Sequence, residues 1–147
     1  MKIALACDHG GLELKLAVQK HLEAKGFATE DFGTYTKDSC DYSDFAAPAA
    51  RAVADGRCDS GVVICTTGIG MCVTANKIRG IRCALLSDLM SARLTREHND
   101  ANMIALGQGV VGEKLALEIV DVFLSTPFSG AERHVRRIGK LSAVEAE

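Results

Sequence analysis

The chain has 147 residues, of which 48% are hydrophobic and 24% are charged, and its formal net charge is −2. This length and composition predict one globular domain over residues 1–147, with a core that folds without disulfide bonds. The charge does not support a nucleic-acid or acidic-membrane partner, and no apolar stretch approaches the roughly 18 residues that span a bilayer.

Strand-like and helix-like patterns alternate along the chain. In chain order, the pattern predicts strand 2–6, helix 12–25, a weak peripheral strand 27–32, helix 42–54, strand 62–65, helix 69–78, strand 83–86, a helix capped by Ser87 or Asp88 and running to about His98, strand 103–106, helix 111–124, and one or two helices over 129–144. Five strands with helical crossovers predict an α/β fold, a three-layer Rossmann-like sandwich around a mostly parallel sheet. The first strand becomes polar at Asp8, too early for a signal peptide, which favours a cytoplasmic protein.

The cysteines do not indicate a metal site. No pair has Cys-x-x-Cys spacing, and no Cys/His cluster matches zinc ligation. Only Cys7 and Cys65 end apolar, strand-like runs. The others fall at expected packing positions or in polar segments where we assign them no role: Cys40, Cys58, Cys72 and Cys83.

Polar side chains follow three of the predicted strands. The segments are Asp8-His9-Gly10-Gly11, Cys65–Gly70 and Ser87-Asp88. Ligands of open α/β sheets bind outside the carboxyl ends of the strands. We therefore expect the functional site at this edge.

The segment Cys65–Gly70 is the strongest candidate. A thiol acts as a nucleophile or base where a cation or helix N-terminus lowers its pKa. The Thr66 and Thr67 hydroxyls and the loop N–H groups are suited to an oxyanion or a phosphate. The alternative is a tight strand-to-helix turn with a buried cysteine. The loop lacks the Gly-Lys-Ser/Thr of a Walker loop and the third glycine of a dinucleotide fingerprint.

Two other segments carry groups that transfer protons. Asp8 and His9 leave the first strand together, and the glycines after them allow close ligand approach. The alternative is that Asp8 caps the next helix and His9 lies on the surface. His98 lies in a polar run and has a reference pKa near ~6.5, suited to proton transfer, but a histidine is also favourable at a helix C-terminus.

Two arginines lie one helical turn apart near the C-terminus. Arg133 and Arg137 are at positions i and i+4, so they share one face of the predicted helix. Two guanidinium groups at this spacing are able to clamp a phosphate. The alternative is a solvated basic face.

Together these segments resemble the type B ribose-5-phosphate isomerase family, which includes galactose-6-phosphate isomerase subunits. The resemblance extends from the first strand to about residue 137. It is carried by separated motifs in the same order: Cys7-Asp8-His9-Gly10-Gly11, Asp41-Tyr42, Cys65–Gly70, Ala75-Asn76-Lys77, Arg96–Asn102 and Arg133-His134.

The resemblance implies a catalytic role for several residues. The family interconverts aldose and ketose phosphosugars without a metal, so no cofactor is expected. By this resemblance Cys65 is the base that moves a proton between C2 and C1 through a cis-enediolate, and Thr67 with the loop amides stabilises the enediolate oxygen. His98, with Asp8, opens the furanose ring. The implied substrate-binding residues are Asp8, His9, Tyr42, Thr66, Gly68, Ile69, Gly70, Asn99, Arg133 and Arg137, with His9 and the two arginines on the phosphate and Tyr42 and Asn99 on the hydroxyls.

The resemblance also implies an assembly and a substrate. Family members are dimers or dimers of dimers with active sites across the subunit interface, so we expect a C-terminal helix that extends to a partner subunit. The expected reaction is ribose 5-phosphate to ribulose 5-phosphate, within a single sugar-phosphate isomerase domain. The alternatives are a hexose 6-phosphate such as galactose or allose 6-phosphate, a tetrose phosphate, or a phosphosugar-binding subunit without catalysis.

The sequence departs from the family pattern at three positions. Thr66 replaces the first glycine of the usual Gly-Thr-Gly, so we expect its side chain either to narrow the pocket or to displace the loop. Ser43 stands where proline is frequent. Ile69 occupies a position from which some members supply a carboxylate base, which favours Cys65 as the base here.

Overall fold

The computed structural model describes residues 1–147 and contains five strands and six helices. The elements are β1 (Lys2–Cys7), α1 (Leu12–Ala24), β2 (Ala28–Asp31), α2 (Tyr42–Ala54), β3 (Ser60–Cys65), α3 (Ile69–Asn76), β4 (Cys83–Leu85), α4 (Leu89–Asn99), β5 (Met103–Gly107), α5 (Glu113–Ser125) and α6 (Glu132–Glu145). The predicted alternation is confirmed, and the C-terminal segment forms one helix. Asp88 caps α4, because its Oδ1 accepts the Ser91 N–H at 2.7 Å.

All five strands are parallel, in the order β2-β1-β3-β5-β4. The central strand β3 is buried along its whole length. From β1 the chain crosses to β2 on one side, and from β3 it crosses to β4 on the other. The strand order therefore reverses between β1 and β3, which opens a crevice at the carboxyl edge between the loops that follow them.

Helices cover both faces of the sheet, which confirms the three-layer sandwich. Val62 faces a core formed with α1, α4 and α5, whereas Val63 faces a second core formed with α2 and α3. Consecutive strand residues point to opposite faces of the sheet. Because both faces are covered by helices, consecutive residues of β3 such as Val62 and Val63 are both apolar.

Helix α6 lies outside these two cores and packs against α4. His134 is its only buried residue. Three of its apolar side chains are more than half exposed: Val135 at 54%, Leu141 at 52% and Val144 at 61%. None of the helices combines the length and apolar character needed to cross a membrane.

Candidate active site

Cys65 ends the central strand and is 5% exposed. The backbone N–H of Gly68 donates to its Sγ at 3.1 Å. Gly68 is also the N-cap of α3 and has a φ of +80°, in the left-handed region. A Cβ there would lie 2.9 Å from the carbonyl carbon of Leu106, so only glycine fits this turn. The thiol therefore lies beside a directed N–H group at the positive end of a helix.

The two threonines after Cys65 are exposed at the mouth of the crevice. The Thr67 hydroxyl accepts the Ile69 N–H at 3.2 Å, which orders the turn into α3. The Thr66 side chain lies over Gly10, since a Cβ at Gly10 would fall 2.1 Å from its Oγ1. The Gly109 N–H donates to the Thr66 carbonyl oxygen at 2.9 Å. Thr66 thus fits because both neighbouring loops present glycine to it.

Asp8 and His9 follow β1 at the same edge. Asp8 is 7% exposed, and its Oδ1 accepts the Gly10 N–H at 2.9 Å. It is not the cap of α1, because Gly11 occupies that position without a side-chain bond. His9 is exposed, and its Nδ1 accepts the Cys40 N–H at 3.3 Å. In the neutral ring this leaves the proton on Nε2, which is then available to donate to a ligand.

Tyr42 connects α2 to the loop after β3. It is the first residue of α2 and is 46% exposed. Its ring lies on Gly70, where a Cβ would come within 2.8 Å of two ring carbons. The structure therefore gathers nine predicted site residues at the carboxyl edge: Asp8, His9, Tyr42, Cys65, Thr66, Thr67, Gly68, Ile69 and Gly70.

The remaining predicted residues lie at the opposite edge of the sheet. Helix α4 starts beside the carboxyl end of β4, and its 11 residues carry the chain about 16 Å towards the amino edge. There the Asn99 carbonyl oxygen accepts a hydrogen bond from Nε of Arg82 at 2.9 Å, and Arg82 directly precedes β4. His98 and Asn99 line a cleft of about 220 Å³ with four residues of α6: His134, Arg137, Ile138 and Leu141.

The charge of this cleft is positive. Arg133 and Arg137 are exposed, and neither is paired with a carboxylate. Burial lowers the pKa of His134, and the charges of Arg133, His98 and Arg137 lower it further. The cleft is therefore suited to an anion, although in one chain its arginines do not lie with His9 or Cys65.

Three residues make contacts near the candidate site residues that the sequence analysis did not predict. Cys40, given no role from the sequence, orients His9 through its N–H. Lys15 is fully buried and donates to Asp31 Oδ1 and the Thr34 carbonyl oxygen, where the chain begins the loop towards Tyr42. His134 packs on His98 with 4.4 Å between ring centroids. These contacts join residues distant in sequence, so no local pattern reveals them.

Comparison with known proteins places this geometry in one family. A family model described as Ribose/Galactose Isomerase matches residues 3–141. Ribose-5-phosphate isomerase B of Escherichia coli is 43% identical over 144 residues, which cover 98% of this chain and 96% of that protein. The solved ribose-5-phosphate isomerase B of Clostridium thermocellum is 48% identical, with a TM-score of 0.97 over 99% of this chain and 98% of that one. The enzyme of Mycoplasma genitalium, solved with bound ribulose-5-phosphate, is 40% identical, with a TM-score of 0.94 over 99% and 97% of the two chains. The chain belongs to the ribose/galactose isomerase family.

Proposed function

We propose that this protein interconverts ribose 5-phosphate and ribulose 5-phosphate. Membership of the family makes it an aldose–ketose isomerase of phosphosugars. The named relatives at 40–48% identity support the pentose as its substrate. The observation that carries the chemistry is the buried Cys65 thiol beside the Gly68 N–H, at the end of the central strand.

In the proposed reaction Cys65 is the proton-transfer base. Its thiolate removes the proton from C2 of the open-chain aldose, and the electron pair moves to form a cis-enediolate with negative charge on O1. The hydroxyl proton of O2 passes to O1, and the Cys65 thiol returns its proton to C1, which leaves the ketone at C2 and a hydroxyl on C1. We assign stabilisation of the enediolate to the Thr67 hydroxyl and the N–H groups of the Gly68–Gly70 loop, of which the Gly68 N–H is held on Cys65 Sγ and the Ile69 N–H on Thr67 Oγ1 before the substrate binds.

Ring opening precedes this step, since ribose 5-phosphate is mainly a furanose. It requires one group to take the proton of the O1 hydroxyl and another to protonate the ring oxygen O4. We assign these transfers to Asp8 and His98, which carry suitable groups. The phosphate binds His9, Arg133 and Arg137, and the hydroxyls bind Tyr42 and Asn99.

The residues around Cys65 and those around His98 act together if two copies of the chain form the site. In one chain, Cys65 and His98 lie at opposite edges of the sheet. A two-fold symmetric dimer allows the cleft of each subunit to meet the carboxyl edge of the other, because such an interface pairs two different patches reciprocally. We therefore assign His98, Asn99, Arg133 and Arg137 of each site to the partner subunit.

Exposed apolar surface supports this assembly. Around the start of α3 and α4, five large apolar side chains are exposed: Ile69, Val73, Leu85, Leu89 and Met90. A second set lies on α6, at Val135, Leu141 and Val144. An apolar surface of this kind on a small domain marks an interface, and α6 is the element that reaches the partner.

The substrate is tested by assaying purified protein with ribose 5-phosphate, allose 6-phosphate, galactose 6-phosphate and erythrose 4-phosphate. We expect kcat/KM to be highest for ribose 5-phosphate by about tenfold or more, since a site fitted to one chain length loses contacts with another. A hexose 6-phosphate as best substrate would overturn the pentose assignment. Absence of activity on the whole panel would favour a phosphosugar-binding subunit.

A further inference from the structure

His134 lies in the second half of the proposed site, yet the mechanism above does not use it. Its side chain is 4% exposed, although the rest of α6 lies on the surface. Its ring contacts that of His98 with 4.4 Å between centroids and planes tilted by 35°. A buried imidazole needs a hydrogen-bond partner, which here is Ser129, and the ring packed against it is the one proposed to protonate the sugar.

Ser129 holds His134 in place. Its Oγ lies 2.7 Å from Nδ1 of His134 and accepts the Ala131 N–H at 3.2 Å. The Ser129 N–H donates to the carbonyl oxygen of Glu97 at 3.2 Å. Glu97 directly precedes His98 in α4. Ser129 therefore binds the backbone of the same helical turn that carries His98, and through His134 it also holds the His98 ring.

The stack holds an uncharged ring against His98. Burial lowers the pKa of His134, and the positive charges of Arg133, His98 and Arg137 lower it further, against a raising effect from the Glu97 backbone. His134 is therefore neutral near neutral pH. A neutral ring packs against an imidazolium without like-charge repulsion, so the stack tolerates either protonation state of His98.

We propose that His134, fixed by Ser129, is a positioning residue that holds the His98 ring in the orientation from which it protonates the sugar ring oxygen. This inference rests on the proposed function, in which His98 opens the furanose. His98 itself is exposed, so without the stack its two side-chain torsions are free to vary. Proton transfer is sensitive to such misalignment, because it requires hydrogen-bond distance and direction.

The test is a double-mutant cycle on ribose 5-phosphate turnover with wild type, H134N, H98N and the double variant. We expect H134N to lower kcat about tenfold or more with KM within about threefold, since the phosphate contacts remain. The double variant should be no slower than H98N, because His134 acts only through His98. An unchanged kcat in H134N, or losses that multiply in the double variant, would overturn the proposal.

Two further variants distinguish a loss of the His98 orientation from a general loss of folding. S129A removes the hydrogen bond and leaves the packing, so it should lower kcat in the same direction by about threefold. H21F changes a histidine of α1 that pairs with Asp121 of α5, outside the proposed site, and its kcat should match wild type. A normal kcat in S129A would contradict the role of Ser129, and a kcat lowered as much in H21F as in H134N would show that the loss in H134N is not specific to the stack.

A readout without turnover separates this inference from the proposed function. The ring protons of His98, identified by their loss in H98N, should shift in the NMR spectrum when H134N removes the stacked ring. Unchanged resonances would contradict the stack itself. Wild-type protein without isomerase activity would overturn the proposed function instead, and would leave the NMR result to decide the contact.

Discussion

The backbone N–H of Gly68 is directed at the sulfur of Cys65, 3.1 Å away, and both residues are buried. This N–H stabilises negative charge on the sulfur and belongs to the first turn leading into α3. A base held in this way is positioned before the substrate binds. The proposed proton transfer therefore depends on this one thiol.

Replacing Cys65 by serine should abolish turnover. We expect kcat to fall about 10³-fold or more, because a hydroxyl is a much weaker base precursor than a thiol at neutral pH. The fold should persist, since the two side chains are nearly isosteric. C58S is the matched control, because Cys58 is buried beside Glu30, away from the site. Steady-state kinetics with near-wild-type turnover in C65S would exclude the thiol as base.

Replacing Arg137 by alanine should weaken phosphate binding. We expect KM for ribose 5-phosphate to rise about tenfold or more, because a charge-assisted hydrogen bond contributes about 1.5–3 kcal/mol. R136A is the control, since Arg136 is exposed on a different side of α6 from the cleft. Equal KM values for R137A and wild type would remove Arg137 from the phosphate site.

Replacing Lys15 by methionine should destabilise the fold. Lys15 Nζ lies 2.8 Å from Asp31 Oδ1 and 2.6 Å from the Thr34 carbonyl oxygen, and methionine removes both bonds, which leaves Asp31 with the Gly33 N–H alone at Oδ1. We expect a loss of about 3 kcal/mol in the free energy of unfolding, measured by urea denaturation at fixed protein concentration. K20M, at an exposed position of α1, should change it by less than about 0.5 kcal/mol. A K15M variant as stable as the wild type would show that the ion pair does not stabilise the fold.

Cys72 should be the most readily alkylated thiol outside the site. A hydrogen bond from the Cys83 thiol lowers the pKa of Cys72 to about 7, although burial of the thiol acts to raise it. Asn76 Nδ2 also donates to the Cys72 sulfur at 3.5 Å, which lowers the pKa further. Burial raises the pKa of Cys7 to about 11. Because only the thiolate reacts, iodoacetamide labelling of Cys72 in the C65S variant should rise with pH and reach half its maximum near pH ~7, while Cys7 stays protonated. Peptide mass spectrometry that places the Cys72 midpoint near its ordinary value of 9.0 would contradict this ordering.

The sequence predicts the order and type of elements because residues that start and stop helices are easy to recognise in it. Helix α2 begins after Asp41 and ends before Asp55-Gly56, and its observed bounds match the predicted ones. Strand β3 has no polar side chain between Gly61 and Ile64 because both faces of a parallel sheet are covered. Helix α1 shows the limit: the chain buries Lys15 and leaves Leu16 51% exposed. A lysine is stable there only because Asp31 and Thr34 reach it from another part of the chain.

The sequence predicts which edge of the sheet holds the Cys65 loop, but it does not predict every contact between the candidate site residues. Placing the Cys65 loop and Asp8 at one edge requires only the rule that parallel strands end together. The position of His98 at the opposite edge follows from the direction of α4, which runs back from that edge. The packing of His134 on His98 depends on how α6 docks, and no sheet rule governs a helix outside the two cores.

Subunit complementation tests the split site most directly. Two variants, C65S and H98N, are refolded together in equal amounts, so that about half of the dimers contain one of each. If each site takes Cys65 from one subunit and His98 from the other, every mixed dimer has one intact site, and the mixture should reach about a quarter of wild-type activity, far above either variant alone. A mixture no more active than its two components would contradict the shared active site.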